Sequence, residues 1–172
     1  MTNVNITVTP TEVLPEPYYQ AYILRFWRPY LGGLVFDLLV ILQDYQAQGI
    51  QPTIKELVEA MGYGNRHTIV GRPASKSHPG REGLLDMAAK SGLLVHTVGE
   101  GDGRWEKKHS FVVSERFPLM SSKQVRTLSE ERQRAHGAFL ANVRGELDTA
   151  VLHRLFGVAL GVEQGGQALE HS

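Results

Sequence analysis

The chain has 172 residues, 42% apolar and 21% charged, with 18 basic side chains against 18 acidic ones and no cysteine. That size holds one compact domain, or one domain with an appendage, and a true buried core, and it excludes two independent enzyme domains. Zero net charge excludes a histone-like, purely electrostatic binder, and the lack of cysteine excludes disulfides and thiolate chemistry and argues against a zinc finger.

Val4, Ile6 and Val8 alternate with polar neighbours, which predicts a short strand before Pro10; residues 1–17 read as an N-terminal arm. The aromatic segment "YYQAYILRFWRPYLGG" follows, its Tyr18, Tyr19, Tyr22, Phe26, Trp27 and Tyr30 read as core and partner contact rather than as a stacking platform. In "LVFDLLVILQDYQAQG", Val35, Leu38, Leu39 and Leu42 keep helical spacing while Leu34, Phe36 and Ile41 widen the stripe. A helix apolar on so much of its circumference belongs at the centre of a bundle. Leu31 to Leu42 is too short to span a bilayer and contains Asp37, and no basic-then-apolar leader opens the chain, so the expectation is a cytoplasmic protein without membrane contact.

Thr53 and Glu56 form a capping box ahead of Ile54, Leu57, Val58 and Met61, and Gly62 and Gly64 break that helix. A third helix is expected over about 81–91, ended by Gly92. "LLVHTV" and "WEKKHSFVV", separated by "GEGDGR", read as a hairpin with a glycine-rich tip. Ser121 with Gln124 is a second capping box, and Ser129 with Glu130 and Glu131 opens a longer helix. A last helix is expected over about 148–160, with Val151, Leu152, Leu155, Phe156 and Ala159 on one side, before a frayed tail from 162 to 172. The fold class expected is mainly α with a small β hairpin, an α+β arrangement.

Charge is sorted along this framework. Residues 1–60 carry three bases against six acids, residues 61–126 eleven against six, and residues 127–172 four against six. The middle is the basic part. Within it, Gly64 to Arg81 holds Arg66, Arg72, Lys76, Arg81, His67 and His78 and no carboxylate. Taken alone, a solvated loop is the better reading of such a run.

The order helix, capped short helix, tight turn, helix, hairpin resembles the winged helix-turn-helix superfamily. "TIKELVEAMGYG" looks like its second helix and turn, "LLDMAAKSGLLVHTV" like the end of the recognition helix entering the first wing strand, and "GEGDGRWEKK" like the wing. The resemblance covers residues 18–118, with residues 119–161 as additional C-terminal helices that serve homodimerisation or pack on the long helix. "YILRFWRPYLGGLVFDLLVILQDY" also resembles the opening of winged-helix domains in plasmid and phage replication initiators. One departure is plain: "GRPASKSHPG", with Pro73 and Pro79, interrupts the recognition helix. Either that helix runs from Asn65 to Gly71 and resumes at Arg81, or only the later piece is helical.

What the resemblance implies is a double-stranded DNA-binding protein, a transcriptional regulator, with Asn65, Arg66, His67, Arg72, Lys76 and Arg81 at the recognition end and Arg104, Lys107 and Lys108 on the wing. The alternatives are a replication initiator or partition-type protein of a mobile element, and a winged helix that binds protein. Lys107 and Lys108 also suit an edge strand guarded against aggregation, and Trp105 suits packing across the hairpin. The seven histidines show no metal spacing, and neither a nucleophile elbow nor a phosphate loop occurs, so no metal, cofactor or enzymatic activity is assigned.

Overall fold

The computed structural model describes residues 14, 16–62, 64–100 and 107–146. The chain divides into two units, one of residues 20–117 and one in which residues up to 19 join residues from 118 onward. The described part is mainly helical with one small two-stranded antiparallel sheet, the fold class expected from the sequence. Among the described residues no helix is long and apolar enough to cross a membrane.

The chain enters through α1 (Tyr18–Tyr22), a π-helical turn (Ile23–Trp27) and α2 (Arg28–Leu31). Pro29 has no N–H to donate, and the turn before it is widened: Arg28 donates its N–H to Ile23 O, five residues back. Tyr22, Phe26 and Trp27 are buried, and Trp27 meets Phe117 with ring centroids 5.7 Å apart while Phe117 stacks on Phe36 at 5.2 Å. These aromatic rings are core, as their density suggested.

Helix α3 (Gly33–Ala47) is the central element, burying Val35, Phe36, Leu38, Leu39 and Leu42. Each such side chain contributes roughly 1.5–3 kcal/mol over exposure. The part of its circumference left over, Leu34 and Val40, faces outward. Helix α4 (Ile54–Met61) starts at Thr53, whose hydroxyl accepts the Glu56 N–H while the Glu56 carboxylate accepts the Thr53 N–H at 2.7 Å, and it ends at Gly62 in the left-handed conformation. Helix α5 (Arg66–Val70) and helix α6 (Leu84–Lys90) pack on each other, α5 also on α4 and α6 also on α3.

Strand β1 (Leu94–Gly99) pairs antiparallel with β2 (Lys108–Val113) in a register that sets Leu94 opposite Val113 and His96 opposite Phe111. Alternation then sends Leu94, Phe111 and Val113 to the core and the Val95–Val112 pair outward. The free edge of β2 is occupied by glutamines. Gln46 exchanges two hydrogen bonds with Val113, 2.7 Å to its O and 2.9 Å from its N–H, and Gln51 does the same with Phe111 at 3.0 and 2.9 Å. Gln43 adds a bond to Ser114 O. Primary amides here stand in for the next strand and satisfy edge groups that would otherwise template aggregation.

The second unit holds α7 (Ser122–Arg126), with the expected Ser121/Gln124 capping box, and α8 (Glu130–Glu146), entered from Ser129. Leu128, His136 and Val143 are buried in it, and the Tyr18 hydroxyl donates to the Glu146 carboxylate. An apolar groove of about 450 Å³ runs between α7 and α8, lined by Leu119, Met120, Val125, His136 and Leu140 among others. The strand expected over Val4 to Val8, the helix over 148–160 with its dimer argument, the tail, and Arg104 and Trp105 all lie outside the described residues.

Candidate nucleic-acid interface

Of the two forms left open for the helix interrupted by Pro73 and Pro79, the chain takes the first, with one correction. The helix beginning after Asn65 stops at Val70, yet the chain becomes helical again only at Leu84 and not at Arg81. The reason is pairing. Arg72 and Arg81 exchange both backbone hydrogen bonds (2.7 and 2.8 Å), and Ser75 pairs with His78 around a turn at Lys76 and Ser77. Residues 72–81 thus form a narrow antiparallel finger, every residue of it exposed. Pro73 and Pro79 fit because neither is asked to donate to a helix ladder.

Two glycines make the neck of the finger. A Cβ on Gly83 would lie 2.2 Å from Gly71 N and 2.4 Å from Ile69 O, and one on Gly71 would lie 2.6 Å from Arg81 O. Gly71 also has φ +78°, a conformation that disfavours other residues. Buried Ile69 before the neck and buried Leu84 and Leu85 after it fix both ends of the finger in the core.

The basic residues sort into two places. Arg66, first residue of α5, lines a cleft of about 310 Å³ together with Lys107, Lys108 and His109 of the hairpin and with Gln51 and Thr53 ahead of α4. Arg66 and Lys107 are distant in the chain, and the hairpin brings them to one cleft. Glu56, hydrogen-bonded to Thr53, supplies the neighbouring negative charge, and those bonds hold its carboxyl below the ordinary carboxylate range. Its charge sits at the start of α4, where the helix dipole favours it.

Arg72, Lys76 and Arg81 are on the finger instead. As direct cross-strand partners, Arg72 and Arg81 project from one face, an arrangement that costs stability for like charges. The adjacent acid, Glu82, is engaged by Lys90. Among the described residues none of Arg66, Arg72, Lys76, Arg81, Lys107 and Lys108 forms an ion pair.

Asn65 and His67 are partly occupied by local structure. The Asn65 side-chain oxygen accepts the Thr68 N–H at 3.2 Å and caps α5, and His67 Nδ1 lies 3.4 Å from Gly71 O. On the inner face of the hairpin, His96 Nε2 meets His109 Nδ1 at 2.9 Å, and His96 stacks on Phe111. Burial pushes the His96 imidazole below its ordinary value, opposed by the Asp86 carboxylate. Among the described residues no three His, Asp or Glu stand together to hold a metal ion.

Comparisons with family models, with curated proteins and with solved structures each return no match.

Sequence reasoning missed the glutamine cover of β2 and the finger. A signal for the first existed: Gln43, Gln46 and Gln51 recur at the polar end of an otherwise apolar helix and just beyond it. For the finger the signal was a Gly and a Pro on each side of the Lys76–Ser77 turn, Gly71 and Pro73 before it and Pro79 and Gly83 after it.

Proposed function

We propose that the protein binds double-stranded DNA through a winged helix-turn-helix unit, residues 20–117, and acts as a transcriptional regulator. In this reading α4 and α5 are the helix-turn-helix pair and the β1–β2 hairpin is the wing. One observation carries it: Arg66, from the basic run over Gly64 to Arg81, lines a single cleft with Lys107 and Lys108 of the hairpin. Three cations in one concave place suit a backbone phosphate, which needs charge and N–H groups but no base recognition.

The test is duplex binding by the full chain across a salt series. Charge-driven contacts release counterions, so each phosphate neutralised adds roughly 0.9 to the slope of log affinity against log salt. Arg66→Ala should weaken binding and flatten that slope while leaving the melting temperature almost unchanged. Equal affinity and slope in mutant and wild type would remove the proposal.

A second reading, a winged helix that binds protein, has one observation in its favour. Val95 and Val112, cross-strand neighbours on the outer face of the hairpin, are 60% and 64% exposed. It expects no retention on heparin at low salt, where the DNA reading expects retention.

A further inference from the structure

We infer that the 72–81 finger, rather than a recognition helix, is the part that reads base edges, entering the major groove as a two-stranded ribbon. The inference rests on the DNA-binding reading and deepens it. A reading helix must run along the groove, but α5 has five residues and is only about 7.5 Å long, and its Asn65 is used as a cap. Helix α6 is a weak substitute: it has seven residues, and its exposed face offers Asp86, Met87, Ala89 and a Lys90 that is already engaged with Glu82.

The finger has what α5 lacks. From Arg72 to Ser75 each arm rises roughly 10 Å before the turn, and the major groove is about 8.5 Å deep and about 12 Å wide, enough to admit two paired strands. Arg72 and Arg81 at its base face the same way, and their mutual repulsion is relieved when an anionic backbone lies against them. The tip presents donors. Ser77 Oγ lies 2.9 Å from His78 Nδ1, which orients that ring and leaves Nε2 for a partner, and Lys76 is exposed at the same turn. Ser75 Oγ, 3.4 Å from Ser77 Oγ, completes a polar cluster with no carboxylate in it. Lys and His donors suit the O6 and N7 acceptors of guanine. The Gly71–Gly83 neck, too close for any Cβ, holds the ribbon at a set angle to the body, as a reading element requires.

The test compares affinities for a duplex selected from a random pool and for its scrambled counterpart, at one salt concentration, using the full chain. Lys76→Ala combined with His78→Ala should lower the ratio of the two affinities at least about tenfold, since removing a hydrogen bond to a base edge reduces discrimination by that order. A phosphate-contacting lysine would lower both affinities together and leave the ratio alone. Guanine N7 methylation in the selected duplex should weaken the wild type and spare the double variant. These two outcomes support the inference. An unchanged ratio in the double variant, or a ratio lost in Arg66→Ala but kept in the double variant, overturns it while DNA binding stands. No duplex binding by the wild type, or preference for a single-stranded RNA over any duplex, overturns both. Both substitutions are at exposed positions of a tip paired through backbone atoms, so folding is checked by the melting temperature, expected within a few degrees of wild type.

Discussion

Two antiparallel ribbons stand in the 20–117 unit, and opposite forces hold them. The β1–β2 hairpin is fastened by its side chains: Leu94, Phe111 and Val113 enter the core, and Gln46 and Gln51 close its free edge. The finger over 72–81 buries no side chain; it is held by backbone pairs at Arg72–Arg81 and Ser75–His78 and by a glycine neck. A ribbon that contributes nothing to the core is free to vary its side chains for a ligand, whereas the hairpin's sequence is constrained by packing along half its length.

The sharpest way to break this contrast is at the neck. Gly83→Ala puts a methyl 2.2 Å from Gly71 N, so the backbone must move, and an unfolding free energy lower by about 3 kcal/mol is expected in chemical denaturation. Next comes the edge cover. Gln46→Ala strips Val113 N–H and O of their partners and should cost about 1–3 kcal/mol, where Gln48→Ala, which touches only exposed Asp44, should cost almost nothing. Thr53→Ala removes a cap and should cost about 1 kcal/mol. Smallest of the four, Arg72→Ala on the finger should change stability by less than about 0.5 kcal/mol, with relief of like-charge repulsion offsetting any loss, yet weaken duplex binding.

Acid sharpens the same comparison. Burial keeps His96 neutral below its ordinary value of 6.5, so as pH falls the unfolded chain takes up a proton first. Stability is therefore full above pH 6.5 and declines from there down to the lower folded value. Buried His136 acts with the same sign in the other unit. His96→Phe should make thermal unfolding less steeply dependent on pH between about 7 and 5.

Those differences also explain what the sequence disclosed. Helices α3, α4, α7 and α8 were legible because Leu38, Leu39 and Leu42 keep a helical period and Thr53/Glu56 and Ser121/Gln124 spell their caps. The hairpin was legible through its alternating apolar residues. The finger was less legible, since its flanking glycines and prolines mark only a break, no apolar residue alternates in "RPASKSHPGR", and its order comes from backbone pairing rather than from a side-chain pattern. Of the basic residues singled out for DNA, Arg66, Lys107 and Lys108 meet in one cleft, a convergence that depends on the fold of the hairpin and not on any local pattern. The remaining wing cation, Arg104, lies outside the described residues.

The central claim is that this cleft neutralises phosphate. The direct measurement is duplex affinity over a salt series for wild type and for a chain carrying Arg66→Ala, Lys107→Ala and Lys108→Ala together. A slope of log affinity against log salt shallower by roughly three units, with an unchanged melting temperature, is the result expected. An identical slope in the two proteins would contradict it.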